Sequence, residues 1–146
     1  MDRVKINMPK EFGFTTSLPI RISDVNYGGH VGNDSFLALI QEARLHFFKQ
    51  FDYTEIDFEG CSTIMVDAAI EFKGELFYGD VVNISVAANN FTKLGFDLFY
   101  LLEKEVNNKK ILIGKAKTGI LCFDYTLRKL TSVPEKAIEK LNRKEN

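Results

Sequence analysis

The 146-residue sequence contains no tryptophan, three prolines, two cysteines and two histidines. It also lacks a charge surplus, since 19 Lys plus Arg stand against 20 Asp plus Glu, a formal net charge of −1. A nucleic-acid-binding face calls for a basic excess, so no nucleic-acid partner is expected. No apolar run is longer than five residues, as in Phe36–Ile40 and Leu98–Leu102. A membrane-crossing helix needs about 20 such residues, so no membrane partner is expected either. The opening MDRVKINMPK has no apolar core of the secretory-leader kind. A cytoplasmic protein is therefore expected, with Cys61 and Cys122 as reduced thiols that lack metal-ligand spacing. No metal and no cofactor is implied.

What the sequence does have is apolar and aromatic bulk: 45% apolar residues, 12% aromatic, 13 of them Phe. At this length the chain can bury roughly two thirds of its unfolded surface, enough for one packed domain over residues 1–146. Residues 14–23 alternate Leu18, Ile20 and Ile22 with polar partners and read as a strand, with Pro19 marking an edge or a start. Residues 24–34, DVNYGGHVGND, hold three Gly, two Asn, two Asp and one His, a composition that only a loop accommodates. Asn33 or Asp34 is positioned to N-cap a helix beginning at the loop's end.

Residues 35–51 place Phe36, Leu39, Ile40, Ala43, Phe47 and Phe51 at helical spacing, with Leu37 and Phe48 widening the stripe. Residues 52–60 break that pattern. From 61 to 126 four long segments read as strands, with turns near Gly79-Asp80, Lys93–Gly95 and Asn107-Asn108. A short helix is predicted after Pro134, running to about Lys144. One enclosed helix against at least five mainly antiparallel strands is an α+β arrangement. Leu98–Leu102 is apolar on both alternations, which predicts that a second subunit covers part of the sheet.

The loop and the helix carry a motif set in a fixed order: Arg21, Asp24-Val25-Asn26, Gly29-His30-Val31-Gly32-Asn33, then Glu42-Ala43-Arg44. Ile70-Glu71-Phe72, Gly79-Asp80, Phe123-Asp124, Arg128-Lys129 and Val133-Pro134 come after them. Together these resemble the hotdog-fold thioesterases, specifically the 4-hydroxybenzoyl-CoA thioesterase branch, over about residues 14–136. The resemblance implies a long central helix wrapped by a five- or six-stranded sheet. It also implies hydrolysis of an acyl-CoA thioester, and a homodimer or homotetramer with its sites at the subunit interface. It implies a carboxylate at the second position of Asp-x-Asp, where this chain has Asn26. An amide is neither base nor nucleophile at neutral pH.

Thioester hydrolysis needs a base, a donor for the developing oxyanion and an enclosed site. The helix N-terminus offers amides and a positive dipole end, and Gly28, Gly29 and Gly32 allow close approach to the backbone. The amides from Val31 to Asn33 are therefore the expected oxyanion donors, with Gly29 beside them. His30, an imidazole in the polar loop, is one candidate base, or else a hydrogen-bonded loop residue. Glu42 is another, or else a solvated helix residue paired with His46 at i,i+4. Asp24 is a third, or else a partner of Arg21 or Arg44. Asn26 orients water or the thioester carbonyl, or else serves as a turn residue. Lys93 is available for the phosphates of coenzyme A. Two further readings stand beside hydrolysis: an acyl-thioester hydratase or dehydratase using His30 and Glu42, and an acyl-CoA binder without chemistry.

Overall fold

The computed structural model describes residues 1–142. Strand β1 spans Phe14–Pro19, helix α1 Asn33–Lys49, β2 Ser62–Phe72, β3 Val81–Asn89, β4 Gly95–Val106, β5 Lys109–Asp124 and β6 Lys129–Leu130. Helix α2 spans Glu135–Leu141. The strands form one sheet in the order β1-β3-β4-β5-β2, with β6 added to β5. Every pairing is antiparallel.

The predicted α+β architecture is present with six strands. Helix α1 lies on one face of the sheet and buries Phe36, Leu39, Ile40, Ala43, Phe47 and Phe48. Opposite them stand Val82, Ile84, Val86, Leu98, Tyr100, Leu102, Ile113, Ala116 and Ile120, in one continuous core. Burying each large apolar side chain stabilises the fold by about 1.5–3 kcal/mol, so the stripe fixes which helix face meets the sheet. Leu37, predicted within the stripe, is 44% exposed instead, and Phe48 is fully buried. Phe51 lies past the helix end but packs on Phe47, ring centroids 5.4 Å apart.

The first strand is shorter than predicted. After Pro19 the chain enters a 3-10 turn at Ile22–Asp24, because the Asp24 carboxylate accepts the Arg21 amide and draws the backbone round. The Asn107-Asn108 hairpin is as predicted: both residues have positive φ, 52° and 64°, which suits asparagine in a two-residue turn. Helix α2 starts where predicted, and the part assigned beyond residue 142 lies outside the described residues.

The outer face of β4 is covered in part by the chain itself. Residues 4–7 lie over Ala69, Phe99 and Lys117, and the Ile6 amide donates to Glu71 Oε2 at 2.9 Å. Phe99 is only 5% exposed as a result. The two-sided apolar pattern of β4, read as the mark of a second subunit, thus has an internal partner at Phe99.

Candidate active site at the N-terminus of the long helix

The Gly-rich loop is clipped at its base. Val25 and Val31 form a bridge, and the Val31 amide donates to the Leu76 carbonyl at 2.8 Å. Within the clip, the Asn26 amide donates to the His30 carbonyl at 2.9 Å, and the Gly29 amide to the Asn26 carbonyl at 3.0 Å. Gly29 has φ +86°, a conformation that suits glycine. The loop therefore has a defined shape although its tip is exposed.

Asn26 is the hub. Its Oδ1 accepts the Gly28 amide at 2.8 Å, the local turn that asparagine side chains favour. That bond commits the oxygen and leaves Nδ2, a donor, facing Gly32. A methyl group on Gly32 would stand 3.5 Å from Asn26 Nδ2 and 2.6 Å from Asp34 Oδ1. The Asn26 amide and the Asp34 carboxylate thus flank one point over the first turn of α1. Gly32 has an ordinary φ of −74°, so what a side chain there would meet is the Asp34 carboxylate rather than backbone strain. Sequence reading assigns Asp34 only a capping role. The spacing Asn26…Asp34 across a Gly-rich loop carries no signal without the folded loop.

On the other side of Asn26 stands His30. A methyl group on Gly28 would meet Asn26 Oδ1 at 3.1 Å and His30 Nε2 at 3.5 Å. His30 Nδ1 lies 3.2 Å from the Val31 carbonyl. A carbonyl only accepts, so Nδ1 donates in that contact.

The amides left open differ from those expected. The Val31 amide is taken by Leu76, and the Gly32 amide donates to the Asp24 carbonyl at 3.3 Å. The residue that caps α1 is Gly32, with no side-chain cap, so neither Asn33 nor Asp34 is the N-cap. Asn33 and Asp34 are the first two helical residues, and among the described residues nothing accepts from their amides. These two N–H groups lie at the positive end of a 17-residue helix.

Asp24 is 4% exposed and held by Arg21 through the backbone amide at 2.8 Å and the guanidinium at 3.2 Å. Burial alone would raise its pKa. The Arg21 hydrogen bonds outweigh it and hold the carboxyl below the usual aspartate range. Asp24 therefore anchors the loop base. Glu42 lies eight residues along α1 from Asp34, about 12 Å at helical rise. It faces His46 at 3.7 Å, and His46 in turn bonds Thr16 on β1 at 2.7 Å. Within one chain Glu42 and His30 are not brought together.

Lys93 is also elsewhere. Its carbonyl accepts the Val133 amide at 2.9 Å, beyond the end of β3 remote from the loop. The start of β3 lies by the loop base, where the Ile20 amide meets the Asp80 carbonyl. Arg44 is buried and bonds Glu55 at 2.7 Å and the Tyr100 hydroxyl at 3.2 Å, a structural role. Burial raises both thiols, that of Cys122 to about 12, so both remain protonated at neutral pH. Exposed apolar side chains include Ile22 and Tyr27 on the loop, Phe72 packed on Phe36 of α1, and Phe77 and Tyr78 just after Leu76, which holds the Val31 amide.

Known proteins share this architecture. A 1,4-dihydroxy-2-naphthoyl-CoA thioesterase from Synechocystis superposes with a TM-score of 0.76 at 20% identity, over 89% of this chain and 98% of its own. A mutant of 4-hydroxybenzoyl-CoA thioesterase, complexed with 4-hydroxybenzoyl-CoA, superposes with a TM-score of 0.80 at 18% identity, over 88% and 98%. Both likenesses establish the hotdog fold. In sequence, a 1,4-dihydroxy-2-naphthoyl-CoA hydrolase of Microcystis aeruginosa is 29% identical over 119 residues, 80% of this chain and 83% of that protein. The loop, α1 and the strands after β1 all fall inside a family match that spans residues 20–141, and on that match the chain belongs to the thioesterase-like superfamily.

Proposed function

We propose that the protein hydrolyses an acyl-CoA thioester to the free acid and coenzyme A. The observation that carries this reading is the pair of unclaimed amides, Asn33 and Asp34, at the start of α1 beside the Asn26 side chain. Such donors stabilise a carbonyl oxygen that gains charge as water adds to the thioester. Asn26 Nδ2, 3.5 Å from the point beside Gly32, adds a third donor. The exposed rim of Tyr27, Phe72, Phe77 and Tyr78 offers apolar contact to an acyl or aryl group. The named activities of the Microcystis and Synechocystis relatives support the same reaction class.

The working form is proposed to be a cytoplasmic homodimer or homotetramer. In support, β2 is a sheet edge paired, among the described residues, only with β5, and it exposes Met65 and Val66. An open apolar edge strand invites pairing with a second copy.

A second reading, acyl-CoA binding without chemistry, is favoured by one observation: the family carboxylate position is Asn26, whose oxygen is committed to a turn. Thiol release over short, medium, long and aromatic acyl-CoA substrates separates the two. The hydrolytic reading expects turnover of at least one class. Saturable binding with no thiol release would replace it with the binding reading.

A further inference from the structure

Resting on the hydrolytic reading, we propose that Asp34 is the general base, supplying from the first turn of α1 the carboxylate that position 26 lacks.

Three observations carry the assignment. Asp34 Oδ1 and Asn26 Nδ2 lie 2.6 Å and 3.5 Å from the same point beside Gly32. The carboxylate is exposed and, among the described residues, has no ion-pair or hydrogen-bond partner. The nearby carboxylates have other duties: Asp24 is bound to Arg21, Asp80 to Lys104 and Glu42 faces His46. The open amides of Asn33 and Asp34 belong to the first turn of α1 together with the Asp34 side chain, whereas His30 Nε2 lies near Gly28. A base must reach the water that attacks the carbonyl held by those amides, and Asp34 shares their helical turn.

The chemistry closes without a co-reactant other than water. Asp34 takes a proton from water as its oxygen bonds to the thioester carbon. The carbonyl π pair moves onto oxygen, where the amides and Asn26 Nδ2 hold it. The pair returns as the carbon–sulfur bond breaks, and the departing thiolate takes the proton back from Asp34. Acyl-CoA and water give acid and free thiol, with Asp34 regenerated.

The test is the Asp34→Asn variant, which preserves size and the backbone donor. Steady-state thiol release is measured against pH, alongside the affinity for a non-hydrolysable acyl-CoA thioether. The expected result is a fall in kcat of about 10²–10³, in the range for loss of a general base. The acid limb of the wild-type pH profile disappears, and thioether affinity is unchanged. Wild-type kcat in Asp34→Asn, or an acid limb that persists there and is lost in His30→Gln, would overturn the assignment while leaving the hydrolytic reading intact. Absence of thiol release by the wild type on every substrate would instead overturn that reading, and this assignment with it.

Discussion

The two ends of α1 are built on opposite plans. At the C-terminal end, aromatic rings interlock. Phe47 meets Phe14 at 5.7 Å and Phe51 at 5.4 Å. Phe58 meets Phe48 at 5.4 Å, Tyr53 at 4.9 Å and Phe96 at 5.8 Å. Lys140 of α2 lies over Tyr53, 5.1 Å from the ring centroid, and tethers the last helix there. At the N-terminal end, backbone hydrogen bonds shape a glycine loop, two amides stay open, and polar side chains crowd one glycine. One helix thus carries an anchor at one end and the proposed site at the other. The packed end fixes the helix axis, and that fixes where the open amides point. Functional groups on loops held by rigid elements follow this logic.

The contrast predicts that damage separates by end. The largest stability loss is expected at the aromatic end. Phe58→Ala removes a ring with no exposed surface and costs about 3–5 kcal/mol, read as a lower urea midpoint. The kcat of the folded fraction should stay close to wild type, and a matching collapse in kcat would show that the two ends are not separable. Next is Tyr100→Phe, on β4 opposite Arg44 of the helix. It strips the hydroxyl that bonds both Arg44 and Thr118 and is expected to cost about 1–3 kcal/mol, because buried polar groups lose their partner.

A smaller stability effect is expected at the loop base. The Asp24 carboxyl is held below its ordinary pKa by Arg21. A depressed carboxylate contributes stability above its unfolded pKa of about 3.9, and that contribution is lost as pH falls through the lower folded value. Wild-type stability should therefore drop in acid more steeply than that of Asp24→Asn. Parallel acid curves for the two would show that the Arg21 pairing contributes nothing. Smallest is Asn108→Gly in the β4–β5 hairpin. Glycine tolerates the positive φ there, so the change should stay within about 0.5 kcal/mol, with kcat unaltered.

Most of the fold was legible because periodicity and turn chemistry agreed. Phe36, Leu39, Ile40, Ala43 and Phe47 marked the buried helix face, and Asn107-Asn108 marked its hairpin. The order of strands around the loop followed from the same signals. The course of residues 4–7 over the sheet was not legible, since VKIN has neither a strand nor a helix pattern long enough to read. The site was legible as a place but less so as a set of atoms. The loop and helix mouth were readable from glycine and asparagine content. Which amides are free was not, because Leu76, 45 residues from Val31, claims one of them. Lys93 carried only its charge as a signal, and charge does not report at which end of β3 a residue stands. Asp34 looked like an ordinary capping residue until the backbone made Gly32 the cap.

The open amides at the start of α1 are the proposed oxyanion donors, and Asn33→Pro is the sharpest probe of them. Proline is well suited to the first helical position, and Gly32 before it has the extended ψ of 159° that a residue preceding proline adopts. The variant removes one N–H and leaves the helix in place. The account predicts unchanged thermal stability, unchanged acyl-CoA thioether affinity and a fall in kcat of about 10²–10³, the effect of losing one oxyanion donor. Wild-type kcat in a folded Asn33→Pro protein would contradict it.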